Sequence, residues 1–369
     1  MKILLTGSDG YIGSVVGPYL VQRGHAVTGL DTGFYREGCF FEDAEIETIP
    51  CIRKDLRAVT EADLVGFDAV VHLAELSNDP LGQHKPELTY AINHQGSVAL
   101  AQKSKKVSIS RFVYTSSCSV YGAGTGDFKT EESKTNPQTA YAQCKVLVER
   151  DVSAMSTDDF SPTFLRNATA YGPSPRMRFD LVLNNLAGLA WTAKEIRMTS
   201  DGTPWRPLVH VRDIAHAIAC SLEAPRSAVH NQIFNVGETR ENYQVKAIAE
   251  IIAKIFPDCK LALGKSDGDN RSYRVRFDKV NSGLPGFYCQ KDAVSGAAEL
   301  LEVFKKIRMS RETFEFRAFT RLNQLKHLLR TEQIDGRFFW SLGNECKSAG
   351  NTTCVAASNT DHLFNITNS

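Results

Sequence analysis

Residues 2–13, KILLTGSDGYIG, leave the fewest folds open to this chain. Ile3, Leu4 and Leu5 form a short apolar run suited to a buried parallel strand, and Gly7, Gly10 and Gly13 then turn the chain into a helix. Such a turn accommodates a dinucleotide diphosphate. The first glycine permits the sharp turn, the second lets the backbone approach the phosphates, and the third lets the helix pack closely on the strand. Free N–H groups at the helix start then face the anion. The G-x-x-G-x-x-G spacing is one residue from the commonest fingerprint, so the surroundings carry the reading. Ile12, Val15, Val16, Tyr19 and Leu20 recur at helical spacing, Gly24 ends the helix, and a second strand over 26–30 finishes at Asp31. An acid about twenty residues beyond the glycines is placed to bind ribose hydroxyls.

The 369 residues suffice for one large or two ordinary domains. A net charge of +1 gives no electrostatic case for nucleic acid or an anionic membrane as partner. No apolar run reaches transmembrane length and the chain opens on a strand instead of a targeting sequence, so a cytoplasmic protein is expected. The nine cysteines include no C-x-x-C pair and no H-E-x-x-H spacing occurs; reduced, mostly packed thiols and no metal centre are expected.

Beyond Asp31, Arg36 could meet the 2′-phosphate of NADP, but Asp31 would repel that phosphate, which favours NAD. A third strand is expected over 46–52. Asp55, just past it, fits either a contact to the adenine or the cap of a helix. A strand over 69–73 ends in His72, Leu73 and Ala74; the small Ala74 would let a cofactor pass close to the backbone, and His72 reads as structural. The loop 75–82, with Ser77, Asn78 and Pro80, would line the site, a helix over 86–107 returns the chain, and 111–116 supplies the next strand. Ser116, Ser117, Cys118 and Ser119 follow, and a helix starting near Thr139 carries Tyr141 and Lys145. Spacing of i and i+4 puts both side chains on one helix face, where an ammonium favours phenolate over phenol. A tyrosine with its pKa lowered from about 10 serves as a general base near neutrality.

With these residues in view, the chain closely resembles the extended short-chain dehydrogenase/reductase family, in its nucleotide-sugar epimerase, dehydratase and reductase branch. The resemblance rests on TGSDGYIG, LDTG, KDL, HLAELS, FVYTSSCSVYG, YAQCK, LRNATAYGPSPRMR, DGTPWRPLVHVRD and FNVGE, spread over roughly residues 1–300. It implies a catalytic set of Ser117, Tyr141 and Lys145. Tyr141 would exchange a proton with a sugar hydroxyl, usually at C4, while hydride passes between that carbon and NAD. Ser117 would hydrogen-bond the same oxygen, and Lys145 would bind the nicotinamide ribose. The cofactor contacts implied are Gly7, Gly10, Tyr11, Ile12 and Gly13, then Asp31, Asp55, Leu56, Leu73 and Ala74, together with Tyr141 and Lys145.

In the family's 4,6-dehydratases an Asp-Glu pair follows the residue matching Ser117; here Cys118 and Ser119 stand there, which argues against dehydration. A 4-epimerase remains, or a C4 dehydrogenase or ketoreductase that stops halfway. The SPRMR segment with FDLVLNN resembles a subgroup that includes 4-dehydrogenases of nucleotide-linked heptoses. Ser77, Arg178, Asn184 and Asn185 are candidates for the nucleotide sugar, although Arg178 can equally be a solvated surface residue. Arg206 and Arg271 match the family's diphosphate arginines, a role suited to the paired donors of guanidinium.

The expected fold is α/β: a doubly wound parallel Rossmann sheet with a smaller α/β C-terminal substrate domain. The NAD-binding domain covers 1–165 with return segments near 207–240, the substrate domain mainly 166–340, and 341–369 reads as a disordered tail. The resemblance further implies a homodimer joined through the helix over 86–107 and the helix bearing Tyr141. A non-catalytic NAD(H) sensor is the competing class, opposed by the presence of Ser117, Tyr141 and Lys145 together.

Overall fold

The computed structural model describes residues 1–42, 48–77, 85–123, 126–198, 201–264 and 272–341. Its centre is a seven-stranded sheet in the order Gln232–Val236, Ser161–Asn167, Arg111–Ser117, Ala69–His72, Lys2–Thr6, Ala26–Asp31, Cys51–Arg53, parallel throughout. The chain builds outward in one direction from Lys2–Thr6 and then in the other. Lys2–Thr6 and Ala69–His72 lie side by side, so the strand order reverses between them and a crevice opens beyond their C-terminal ends.

Strand period explains how one short apolar run feeds two layers. Ile3, Leu5, Val71 and Val113 face a core shared with Ile214, Ile218 and Leu222 of the helix Val211–Glu223. Their neighbours Leu4, Val70 and Phe112 face the other side, against Leu100, Val148 and Val152. Every residue of Ala69–His72 and of Ser161–Asn167 is buried, as expected of strands covered on both faces. The doubly wound expectation holds.

Three details differ from the sequence reading. Among the described residues, the edge strand expected over 46–52 is Cys51–Arg53, and its bonding to the neighbouring strand begins with the Pro50 carbonyl, which accepts from Gly29 N; proline has no N–H to extend the ladder. Residues 46 and 47 of that expectation lie outside the described residues. The helix over 86–107 is present as Pro86–Thr89, a π-helical segment Tyr90–Gly96 and Ser97–Lys106. Cys51, Cys118, Cys144, Cys220, Cys259 and Cys289 are free thiols as expected, whereas Cys39 is disulfide-bonded.

The remaining elements form a second assembly over the crevice. Trp205–His210 pairs parallel with Thr169–Tyr171 and antiparallel with Asn242–Gln244. The helices Val182–Ala193, Val245–Ile255 and Ala293–Lys306 bury Leu183, Ile252, Leu300 and Phe304 in one cluster with Phe40, Phe179 and Phe319. Among the described residues no helix is long and apolar enough to cross a membrane.

The chain then returns to the seven-stranded half. The helix Arg321–Arg330 places Leu325 and Leu328 at i, i+3 spacing, and these pack with Ile334 and Phe338 against Phe34, Leu76 and Ile92. Trp340 Nε1 donates to Thr32 O at 2.7 Å and Gln324 Nε2 to Phe34 O at 3.1 Å. The C-terminal stretch is thus strapped across the loop that follows Asp31. Leu325→Ala is expected to cost about 2–5 kcal/mol, the range for truncating a buried leucine, read as a lowered thermal midpoint; a change within about 0.5 kcal/mol would show that the strap does not pack as described.

Candidate active site

A single cavity of about 710 Å³ runs from the glycine turn past the ends of the central strands to Arg206 and Tyr273. Its floor is backbone. Gly7 has φ +74, and a Cβ there would sit 2.8 Å from Ala74 N. A Cβ on Gly13 would lie 2.1 Å from Gly7 O. The helix Gly13–Gln22 begins without a side-chain cap, and its first N–H groups, those of Ser14, Val15 and Val16, donate to the Gly10 and Ile12 carbonyls. Tyr11 is not spent on the cavity alone: its hydroxyl donates to Gly172 O at 2.7 Å and receives Asn184 Nδ2 at 3.2 Å, joining the turn to the second assembly. Asn184 also receives Gly172 N, so it is a cross-link, while Asn185, which donates to Phe179 O at 2.9 Å, lines the cavity.

Asp31 stands at the end of Ala26–Asp31, where its carboxylate accepts from Gly33 N at 2.7 Å and Asp9 N at 3.0 Å. Burial, reinforced by the neighbouring Asp9 carboxylate, pushes its pKa up to about 6. Arg36 lies 3.8 Å from Asp9, which is also paired with Arg53, so the cation that could favour a 2′-phosphate faces an acid. Asp55 caps the turn Leu56–Ala58 and holds Arg57 through both carboxylate oxygens, at 2.8 and 2.7 Å; it and Leu56 also line the cavity.

His72 is a brace. Ser97 Oγ donates to Asn93 O, so it accepts from His72 Nε2–H at 2.7 Å, and Nδ1 then accepts from the Thr6 hydroxyl at 2.7 Å. Burial lowers its pKa to about 3, which keeps the ring neutral. The same Thr6 oxygen accepts from Leu73 N and Ala74 N, fixing the backbone that approaches Gly7.

The helix Ala140–Ser153 starts where Thr139 Oγ1 accepts from Ala142 N, and this cap aims Tyr141 and Lys145 into the cavity. Lys145 Nζ lies 5.3 Å from the Tyr141 ring centre. Ser117 ends its strand opposite them, its Oγ accepting from Ser119 N at 3.1 Å. Beneath it, Ser116 donates to Glu149, which pairs with Arg166 at 2.6 Å, and Arg166 donates to the Tyr121 hydroxyl at 3.0 Å. The cavity therefore gathers Ser117, Tyr141 and Lys145 with all the expected cofactor residues.

Sequence reasoning missed Glu75. Its Oε2 lies 2.6 Å from Lys145 Nζ, with side chains 2% and 5% exposed, and its Oε1 accepts from the Tyr114 hydroxyl at 2.6 Å. Lys145 also donates to Thr115 O at 2.5 Å. Burial opposes the Lys145 charge, but Glu75 outweighs it and holds the lysine above its ordinary pKa. Burial likewise raises Glu75, with Lys145 acting against the rise. A charged Lys145 held by a carboxylate is the state consistent with the short contact. The available signal was an acid directly after the strand-ending His72-Leu73-Ala74.

On the far wall, Arg178 is not a solvated residue: its side chain is 12% exposed, pairs with Asp180 at 2.9 Å and reaches Ser77 Oγ at 3.2 Å. Two expected substrate residues thus meet. Arg206 lines the cavity from Trp205–His210. Arg271, Asn78, Pro80 and the tail from 342 lie outside the described residues. Asp180, Tyr273 and Arg321 are lining residues that the sequence did not single out. Among the described residues no group of three or more His, Cys, Asp or Glu could hold a metal ion.

The family model described as NAD dependent epimerase/dehydratase family matches residues 3–237. UDP-glucose 4-epimerase of Corynebacterium glutamicum is 28% identical over 274 residues, covering 69% of this chain and 80% of that protein. UDP-N-acetyl-alpha-D-glucosaminuronate decarboxylase of Bacillus cytotoxicus is 27% identical over 291 residues, covering 76% and 84%. Among solved structures, MoeE5 in complex with UDP-glucose and NAD superposes with a TM-score of 0.71 at 24% identity, over 84% of this chain and all of that one. The NDP-hexosamine 5,6-dehydratase TunA gives 0.72 at 23%, over 83% and 98%. These structural likenesses establish a shared fold.

Two outcomes are expected. With Asp31 as the expected ribose contact, dinucleotide affinity is expected to fall as pH is lowered through about 6, and Asp31→Asn to remove that dependence. Calorimetric titration with ADP-ribose between about pH 5 and about pH 8 checks this, and a flat wild-type profile would count against the assignment. Glu75→Gln leaves Lys145 without its buried counter-charge and lowers stability by several kcal/mol, on the order of 3–5, measured as a drop in thermal midpoint.

Proposed function

The chain belongs to the NAD-dependent epimerase/dehydratase family, and we propose that its own reaction is reversible hydride transfer at C4 of a nucleotide-linked sugar, completed as a 4-epimerisation. The observation that carries this reading is the meeting of Ser117, Tyr141 and Lys145 in one cavity that the glycine turn, Arg178 and Arg206 also line. NAD, when bound, would supply the hydride acceptor and donor for C4. Tyr141 takes the proton from the C4 hydroxyl as the carbonyl forms and gives it back on reduction. Ser117 hydrogen-bonds the same oxygen. Lys145, held charged by Glu75, favours the phenolate of Tyr141 and offers its remaining donor to the nicotinamide ribose. Epimerisation requires the keto sugar to turn over between the two hydride transfers, and the diphosphate arginines Arg206 and Arg271 would hold the nucleotide meanwhile.

The residues after Ser117 support redox at one carbon over elimination. Cys118 is buried and donates to Arg166 O at 3.1 Å, and burial pushes its thiol well above the ordinary value. Ser119 lines the cavity but carries only a hydroxyl. Neither is a carboxyl acid or base, and Glu75 is engaged by Lys145 and Tyr114.

The relatives named for UDP-glucose make UDP-glucose the first substrate to test. The purified protein is expected to convert it, or another UDP-hexose, to the C4 epimer with no net change in reduced cofactor. Stoichiometric NADH or dependence on added reductant would instead identify a one-way C4 dehydrogenase or ketoreductase. Tyr141→Phe is expected to lower kcat by about 10²–10⁴-fold with NAD binding nearly intact; unchanged turnover would remove Tyr141 from the chemistry.

A further inference from the structure

Arg321 opens the helix of the C-terminal strap, is 3% exposed, and lines the same cavity. Its Nη1 donates to Ala318 O at 3.1 Å and its Nη2 to Arg176 O at 3.0 Å, and its Cζ lies 4.2 Å from the centre of the Tyr35 ring. The nearby carboxylates are engaged elsewhere, Asp180 by Arg178 and Asp31 by two backbone N–H groups. Among the described residues, then, this buried guanidinium has carbonyl and ring contacts but no ion pair. Burial, together with the like charge of Arg178, lowers its pKa to about 10. A buried cation without a counter-charge is costly, and an anion entering the cavity would relieve both penalties.

The position of Arg321 indicates which anion. A short chain of hydrogen bonds joins it to the glycine turn: Arg321 to Arg176 O, Arg176 N to Ser174 Oγ at 3.1 Å, and Ser174 Oγ to Tyr11 O at 2.8 Å. The strap that carries it also holds Thr32 and Phe34, beside the expected ribose carboxylate Asp31. A glycine turn supplies backbone N–H groups and a partial dipole charge, but no full cation. A guanidinium provides that charge with paired donors matched to phosphate oxygens.

We propose that Arg321 is the cationic contact of the dinucleotide's diphosphate, which makes the C-terminal strap part of the cofactor site. The inference rests on the NAD reading of the cavity. Binding of ADP-ribose, adenosine and UDP to the full-length wild-type protein, freed of retained nucleotide, is compared by calorimetry with Arg321→Gln and Arg321→Lys, with thermal midpoints as a control for folding. Arg321→Gln is expected to weaken ADP-ribose by about tenfold or more while adenosine and UDP change by less than about twofold, and Arg321→Lys is expected to recover part of the loss. Unchanged ADP-ribose binding overturns the proposal, as does a loss confined to UDP, which would place Arg321 on the sugar nucleotide. Equal loss of adenosine overturns it too, because Arg321 would then act only by shaping the pocket. Wild-type protein that fails to bind ADP-ribose overturns the cofactor reading as well, which separates the two failures.

Discussion

Backbone meets backbone at the head of the central sheet with no room for a side chain between, and the functional half of the molecule is arranged around that contact. Gly7 lies against Ala74 N and Gly13 against Gly7 O, so a methyl group at either position would collide with main chain. Thr6 secures the approach by accepting from Leu73 N and Ala74 N, and neutral His72 braces Thr6 against Ser97. The gap falls where strand order reverses. The sheet therefore presents a trough floored by peptide groups and open at a helix start, a surface suited to an anion with two phosphates.

The buried charges around the trough follow a common electrostatic logic. Taking an ion out of water is affordable only when another charge or several donors replace the lost hydration. Glu149 with Arg166, Glu75 with Lys145, and Asp180 with Arg178 meet that condition within the protein. The first pair stiffens the strand end that carries Ser117, and the second sets the charge state of Lys145 beside Tyr141. These pairs hold both groups in place within the fold. Arg321 differs in meeting only carbonyls and a ring, which is why it reads as a site for an incoming anion.

Local patterns made much of this legible. The apolar run and glycines of residues 2–13 announced a strand, a turn and a helix, because each depends on neighbours in sequence. The i, i+4 spacing of Tyr141 and Lys145 likewise put them on one helix face, and the end of Ala26–Asp31 put Asp31 at the cofactor side of the sheet. The strand expected over 46–52 begins only at Cys51 among the described residues, because Pro50 cannot continue an edge ladder. The Arg321–Arg330 helix had a readable stripe of leucines, but nothing in that stripe named its partners Phe34, Leu76 and Ile92.

The sequence by itself determined the α/β sheet, the glycine turn and the residue types available for proton and hydride chemistry, since short-range sterics and periodicity encode all three. Tertiary structure alone decided that Glu75 holds Lys145, that Arg178 turns from the surface to meet Ser77, and that Arg321 comes to line the same cavity. Each of these depends on side chains far apart in the chain becoming neighbours in a water-poor cleft. Their protonation and pairing are set there by burial and by the charges that folding brings close.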